Sequence, residues 1–130
     1  MGHIEPTGEQ MTALAGLPLD EPVVMLNLIR FRDRCADDSV ASGMSGRESY
    51  RTYGRKLVEL GDGFPGAVEA AAPGRTTVIG PSDERWDEML LVRYPTVRSF
   101  IEMMSDPGYR EAAQWRTAAV ADSRLIALRG

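Results

Sequence analysis

The chain has 130 residues, is 43% hydrophobic, and carries a formal net charge of −4 with a pI near 5.0. That length fits one compact domain able to bury roughly two-thirds of its unfolded surface, so a second folding unit is not expected. The acidic balance argues against nucleic acid as a partner, because that interaction needs clustered positive charge to displace phosphate counterions.

Thr7 to Leu17 predicts a short helix, capped by Thr7 and ended around Gly16 and Pro18. Pro22 to Arg32 is the first core strand, dense in apolar and β-branched residues. From Asp33 to Gly46 the composition turns polar and glycine-containing, which predicts a mobile loop. Ser45-Gly46-Arg47-Glu48 has the spacing of a capping box, so a helix is expected from there to about Leu60, stopped by Gly61-Asp62-Gly63. Gly66 to Gly80 reads as one long strand or two short ones, bent at Pro73-Gly74. Trp86 to Tyr94 is the next strand. Pro95 holds Tyr94 extended and Thr96 can cap the helix that follows. Asp106-Pro107 opens a second helix, with a carboxylate at the N-cap and proline where its missing N–H costs nothing. The helices are expected to end near Asp122, and Arg124 to Arg129 to form the last strand.

The order after the N-terminal segment is β-α-β-β-α-β, which predicts an α+β, ferredoxin-like domain: a four-stranded antiparallel sheet with helices on one face. Residues 1–20 are expected to be a helical extension and 21–130 the domain itself. In the first strand Val23, Met25, Asn27, Ile29 and Phe31 share one face, and Val24, Leu26, Leu28, Arg30 and Arg32 share the other. Both faces are largely apolar. Helices cover only one, so the hydrophobicity of the second predicts a further cover.

The stretch from Trp86 to Arg116, taken with VVMLNLIRF at 23–31 and the closing strand, resembles the family called domain of unknown function 1330 (DUF1330). That family lies in the dimeric α+β barrel superfamily. The resemblance spans about residues 20 to 130 and implies that two sheets pack face to face, so the expected partner is a second copy of the chain. Trp86, Asp87, Tyr94, Tyr109 and Arg116 match the family's aromatic-acidic pair, its aromatic before proline and its tyrosine followed by arginine. Asn27, Tyr50 and Tyr53 match its first strand and helix. The family brings no established active site.

Six residues are candidate ligand contacts: Asn27, Tyr50, Tyr53, Tyr94, Tyr109 and Arg116. Asn27 is the uncharged polar side chain inside an apolar strand, and a buried amide must find partners or cost on the order of 1–3 kcal/mol. It either faces a ligand or satisfies nearby backbone. Tyr50, Tyr53, Leu57 and Leu60 form one helical stripe, which packs as core yet brings two hydroxyls that need partners. Arg116 shares a helix face with Tyr109, Ala112, Ala113 and Val120, so it is either half of an ion pair, with Asp87, Asp106 or Asp122, or an anion clamp. Arg47, Arg51 and Arg55 follow at four-residue steps as a solvated flank, of which Arg47, near the loop and the helix start, is the one placed to contact an anion.

Cys35 is the one cysteine and His3 the one histidine, so no spacing can build a closed zinc site or an internal disulfide. The same count argues against a haem held by a buried histidine, the form some members of the wider superfamily use. No metal or cofactor is expected. No apolar run of about 18 residues exists, and the first residues lack a charged segment followed by an apolar one, so membrane association is not expected and a cytoplasmic location is. No nucleophile elbow is present, and Gly61-x-Gly63 and Gly43-x-x-Gly46 lack the strand-turn-helix context of a phosphate loop.

Two functions fit. One is a small-molecule site lined by the six residues, similar to superfamily members that oxygenate, isomerise or dehydrate small metabolites without a cofactor. There tyrosine and asparagine would orient a carbonyl or enolate, a carboxylate would move the proton and Arg116 would hold an anion. The other is a non-catalytic dimer, a binding or accessory protein in which the same residues serve only the core. The sequence does not identify catalytic residues.

Overall fold

The computed structural model describes residues 2–130. Helix α1 (Gly8–Ala15) is followed by strand β1 (Val23–Phe31), helix α2 (Gly46–Glu59), strands β2 (Ala67–Pro73) and β3 (Glu88–Tyr94), helices α3 (Val97–Ser105) and α4 (Pro107–Ala119), and strand β4 (Val120–Arg129). The antiparallel sheet has the order β2-β3-β1-β4, the ferredoxin-like arrangement. The caps fall where local chemistry demands them. The Thr7, Ser45, Thr96 and Asp106 side chains each accept an amide of the first turn of α1, α2, α3 and α4. At Ser45 the serine hydroxyl also reaches Glu48 Oε1, 3.1 Å away.

Register sorts the strands into two faces. Val23, Met25, Asn27 and Ile29 lie opposite Tyr94, Val92, Leu90 and Glu88 on the helical side. The larger core gathers Val23, Met25, Val92 and Tyr94 under Tyr53, Val97, Phe100, Met103, Tyr109 and Ala112. On the other side Leu26 and Leu28 sit in register with Leu91 and Met89 of β3, while Ile126 and Leu128 of β4 pair with Leu26 and Val24. Among the described residues no helix covers this second face, and Ile126 and Leu128 are 46% and 40% exposed.

Three expectations need correction. The segment 33–46 is tied down and not a loose loop: Cys35 and Ala41 are 5% and 1% exposed, packed with Ala118 and against Met44 and Trp115. Its few apolar residues are hidden among polar ones, so composition alone misreads it. The last strand begins at Val120, four residues early, because β4 follows α4 directly and Asp122 pairs with Arg30 of β1. The polar run Asp122-Ser123-Arg124 resembles a loop in sequence, yet it pairs with Arg30, Ile29 and Leu28 of β1, and the Ser123 amide donates to Asp122 Oδ1 at 2.9 Å. Only β2 forms within Gly66 to Gly80, and residues 74–87 carry no strand.

The N-terminal segment is sewn to the domain. The His3 amide donates to Asp122 Oδ1 at 2.8 Å, Ile4 packs on Ile29 and Val120, and Leu14 and Leu19 pack on the larger core. Gly46 fixes where α2 begins. Its amide donates to Arg32 O at 3.0 Å, and a Cβ there would collide with the carbonyl oxygens of Arg32 and Ala119. Since the obstacles are backbone, Gly46→Ala is expected to cost about 2–3 kcal/mol, read as a fall in thermal midpoint with the dimer or monomer state held fixed.

Candidate functional site

Helix α2 lays Tyr50 and Tyr53 toward α4, and their rings meet at 5.4 Å between centroids. Tyr53 and Tyr109 meet edge to face at 6.4 Å, with their hydroxyl oxygens 3.0 Å apart. From β3, Tyr94 packs edge-on against Phe100 at 4.9 Å and Phe64 at 6.1 Å. Four tyrosines and Arg116 thus belong to one electrostatic neighbourhood between the sheet and the α2–α4 layer. Among the described residues, the Tyr50 and Tyr94 hydroxyls have no hydrogen-bond partner, unlike those of Tyr53 and Tyr109.

Among the described residues Arg116 forms no ion pair. Nη1 donates to the Ile4 carbonyl at 2.9 Å and Nη2 to Ser123 Oγ at 3.4 Å. The three expected carboxylates are engaged elsewhere. Asp106 caps α4, Asp87 accepts from the Phe31 amide at 2.9 Å, and Asp122 pairs with Arg30 and Arg124. Partial burial raises the Asp122 carboxyl, but the His3 amide, the Arg124 guanidinium and the Ser123 amide lower it by more, and the net direction is down. Arg116 thus sits next to the phenols with neutral oxygens as its only hydrogen-bond partners among the described residues.

Burial is the main influence on the phenols. It pushes Tyr50 up to about 12, against a smaller downward pull from Arg116 and further upward pushes from Tyr109 and Glu88. Tyr53 and Tyr94 are also pushed well up, first by burial and then by the neighbouring tyrosines, again with Arg116 opposing. All three stay neutral across the physiological range and can act there as hydrogen-bond donors, not as bases. The carboxylate that Tyr50 senses is Glu88, on the helical face of β3 opposite Ile29.

Asn27 lies on the same sheet face, in register with Leu90 and Leu125. Its Nδ2 donates to Met25 O of its own strand at 3.2 Å, so the amide is partly satisfied locally. Leu125 beside it is 46% exposed, which leaves the helical side of the sheet uncovered at this point. Sequence reading missed Glu88 and Ser123. A face assignment of β3 would have found Glu88, since it alternates with Leu90, Val92 and Tyr94; Ser123 was hidden by the late start given to β4.

Two surface grooves accompany the cluster. One of about 550 Å³ runs along α4 and reaches Tyr109. The other, of about 480 Å³, lies at the end of β1. Among the described residues no group of acidic, histidine and cysteine side chains is arranged to hold a metal ion, and no helix is long and apolar enough to cross a membrane.

No family model matches the sequence, and no curated protein does. Among solved structures, RPA0582, a protein of unknown function from Rhodopseudomonas palustris, is 40% identical, with a TM-score of 0.89 over 100% of this chain and 98% of that one. A dimeric protein of unknown function with a ferredoxin-like fold from Bacteroides fragilis aligns over 86% of this chain and 99% of its own, at 9% identity and a TM-score of 0.51. The hypothetical protein At3g17210 of Arabidopsis thaliana aligns over 86% and 90%, at 17% identity and 0.52. At those identities the last two speak for the fold alone.

Proposed function

This chain belongs to the same family as the RPA0582 protein of Rhodopseudomonas palustris, and from that membership and the geometry above we propose a cytoplasmic homodimer that binds a small anionic metabolite at the tyrosine–arginine cluster. On the residues Trp86, Asp87, Tyr94, Tyr109 and Arg116 we also read the family as DUF1330. The dimer closes the apolar face of Leu26, Leu28, Met89, Leu91, Ile126 and Leu128 against its own copy. The Bacteroides fragilis protein of like fold, described as dimeric, supports a dimer.

The observation that carries the ligand reading is Arg116: a half-buried guanidinium with no carboxylate partner among the described residues, facing phenols held neutral by burial. Such a set suits an oxyanion or an enolate, with Tyr50 and Tyr94 hydroxyls free to donate and Arg116 supplying charge. If chemistry follows binding, the reaction class is an isomerisation. Glu88 takes a proton from the carbon beside a carbonyl, the electron pair moves onto the oxygen held by the phenols and Arg116, and the same proton returns at a second carbon. No oxidant or cofactor is needed for that balance.

The alternative is a non-catalytic dimer, and the hydrogen bonds from Arg116 to Ile4 and Ser123 favour it, because they give the guanidinium a structural task. Native mass spectrometry of the purified full chain separates the two. The ligand reading expects a dimer with a reproducible small-molecule adduct, absent from Arg116→Met and retained by Ser123→Ala, which loosens the N-terminal segment but keeps the charge. Arg116→Met is also expected to lower stability by about 1.5–3 kcal/mol, since it strands the Ile4 carbonyl. An adduct that survives in Arg116→Met would remove the cluster as the site.

A further inference from the structure

We propose that the groove at the end of β1 is a second ligand site, separate from the tyrosine cluster, and that it takes the phosphate of a small phosphomonoester. Its walls bring together Arg30, Arg32, Arg47 and Arg85 with Asp33 and Asp87, four guanidiniums against two carboxylates, on a chain whose formal net charge is −4. This concentration of positive charge is the reverse of what the overall composition predicts.

Two backbone ties create it. The Gly46 amide on Arg32 O, 3.0 Å, sets the first turn of α2 beside the strand end, so that Arg47 falls next to Arg32. The Asp87 amide on Ile29 O, 2.7 Å, draws the segment after β2 against β1 and brings Arg85 with it. The register of β1 against β4 shifts between Arg30 and Phe31, at the strand end that lines the groove.

The charge is not used up internally. Arg47 and Arg85 form no salt bridge among the described residues, nor does Arg32, whose Nε donates to the neutral Val120 carbonyl at 3.2 Å. Arg30 shares Asp122 with Arg124. One of the two carboxylates, Asp87, is occupied by the Phe31 amide. Three of the four guanidiniums thus lack a carboxylate partner among the described residues, and a dianion can accept from their planar donor forks, which match phosphate oxygens. The Phe31 ring, under the Arg47 guanidinium at 4.8 Å, adds an apolar wall. A groove of about 480 Å³ in an otherwise acidic protein suits a small molecule and not a nucleic-acid chain.

The test is titration of the isotopically labelled full chain at low ionic strength, first with inorganic phosphate and then with phenyl phosphate, read by amide chemical shifts. The expected result is saturable binding, with shifts confined to the ends of β1 and the 85–87 segment and the start of α2, and tighter binding of phenyl phosphate. The double variant Arg47→Gln/Arg85→Gln is expected to weaken binding at least about tenfold, while Arg51→Gln, on α2 but outside the groove, leaves it unchanged. Shifts that stay linear with phosphate, or an equal loss in Arg51→Gln, would overturn the site. Arg116→Met is expected to leave phosphate affinity intact, so failure here and failure at the tyrosine cluster are told apart.

Discussion

Substituting Leu26 with aspartate is expected to leave a folded monomer where the native chain sediments as a dimer. Leu26 stands near the middle of the uncovered sheet face, flanked in register by Leu91 on β3 and Ile126 on β4. In one chain that position borders solvent, so a carboxylate there is tolerated and the fold survives. In the face-to-face dimer the two-fold axis doubles every change, and each copy would press an unpaired carboxylate against an apolar sheet. Desolvating both costs several kcal/mol, and each ~1.4 kcal/mol is tenfold in dissociation constant, so even a nanomolar dimer is driven apart at micromolar protein. Sedimentation velocity at several concentrations reads the outcome directly. A native chain that is monomeric throughout, or a Leu26→Asp chain that still dimerises, would show that this face is not the interface.

Alkaline pH is expected to destabilise the protein abruptly, and the tyrosine cluster supplies the reason. In the unfolded chain each tyrosine ionises near pH 10. In the fold, burial first of all raises Tyr50 to about 12 and moves Tyr53 and Tyr94 in the same direction. Above pH 10 the native state therefore holds protons that the unfolded state has released. The stability these phenols contribute is complete below pH 10 and is lost as pH climbs through their folded-state values. Each contributes a slope of about 1.4 kcal/mol per pH unit, and three together about 4 kcal/mol per unit. Denaturant unfolding at a series of pH values should show this steep fall, and phenolate absorbance should show Tyr50, Tyr53 and Tyr94 ionising together with unfolding. Smooth titration of Tyr50, Tyr53 and Tyr94 near pH 10 in a chain that stays folded would contradict the buried cluster. Tyr53→Phe should remove one tyrosine's share of the slope.

Much of the architecture is written locally. Thr96 and Asp106 cap their helices, Pro95 and Pro107 punctuate the chain, and alternation in VVMLNLIRF assigns two strand faces; each is an interaction between residues a few positions apart. The same locality made the open sheet face visible, because a strand apolar on both sides needs two covers. What sequence could not supply were pairings decided at long range. Arg116 was recognisable as a buried cation, but its partners are Ile4 and Ser123, 112 and 7 residues away, in preference to the three aspartates that composition offered. The meeting of Tyr53 with Tyr109, 56 positions apart, depends on how α2 and α4 pack. The arginine groove depends on Gly46 admitting backbone contact between α2 and the end of β1. Caps, turns and strand faces follow from short-range sterics and hydrogen bonding. Which charges end up neighbours follows from packing, and that was settled only when the whole chain closed on itself.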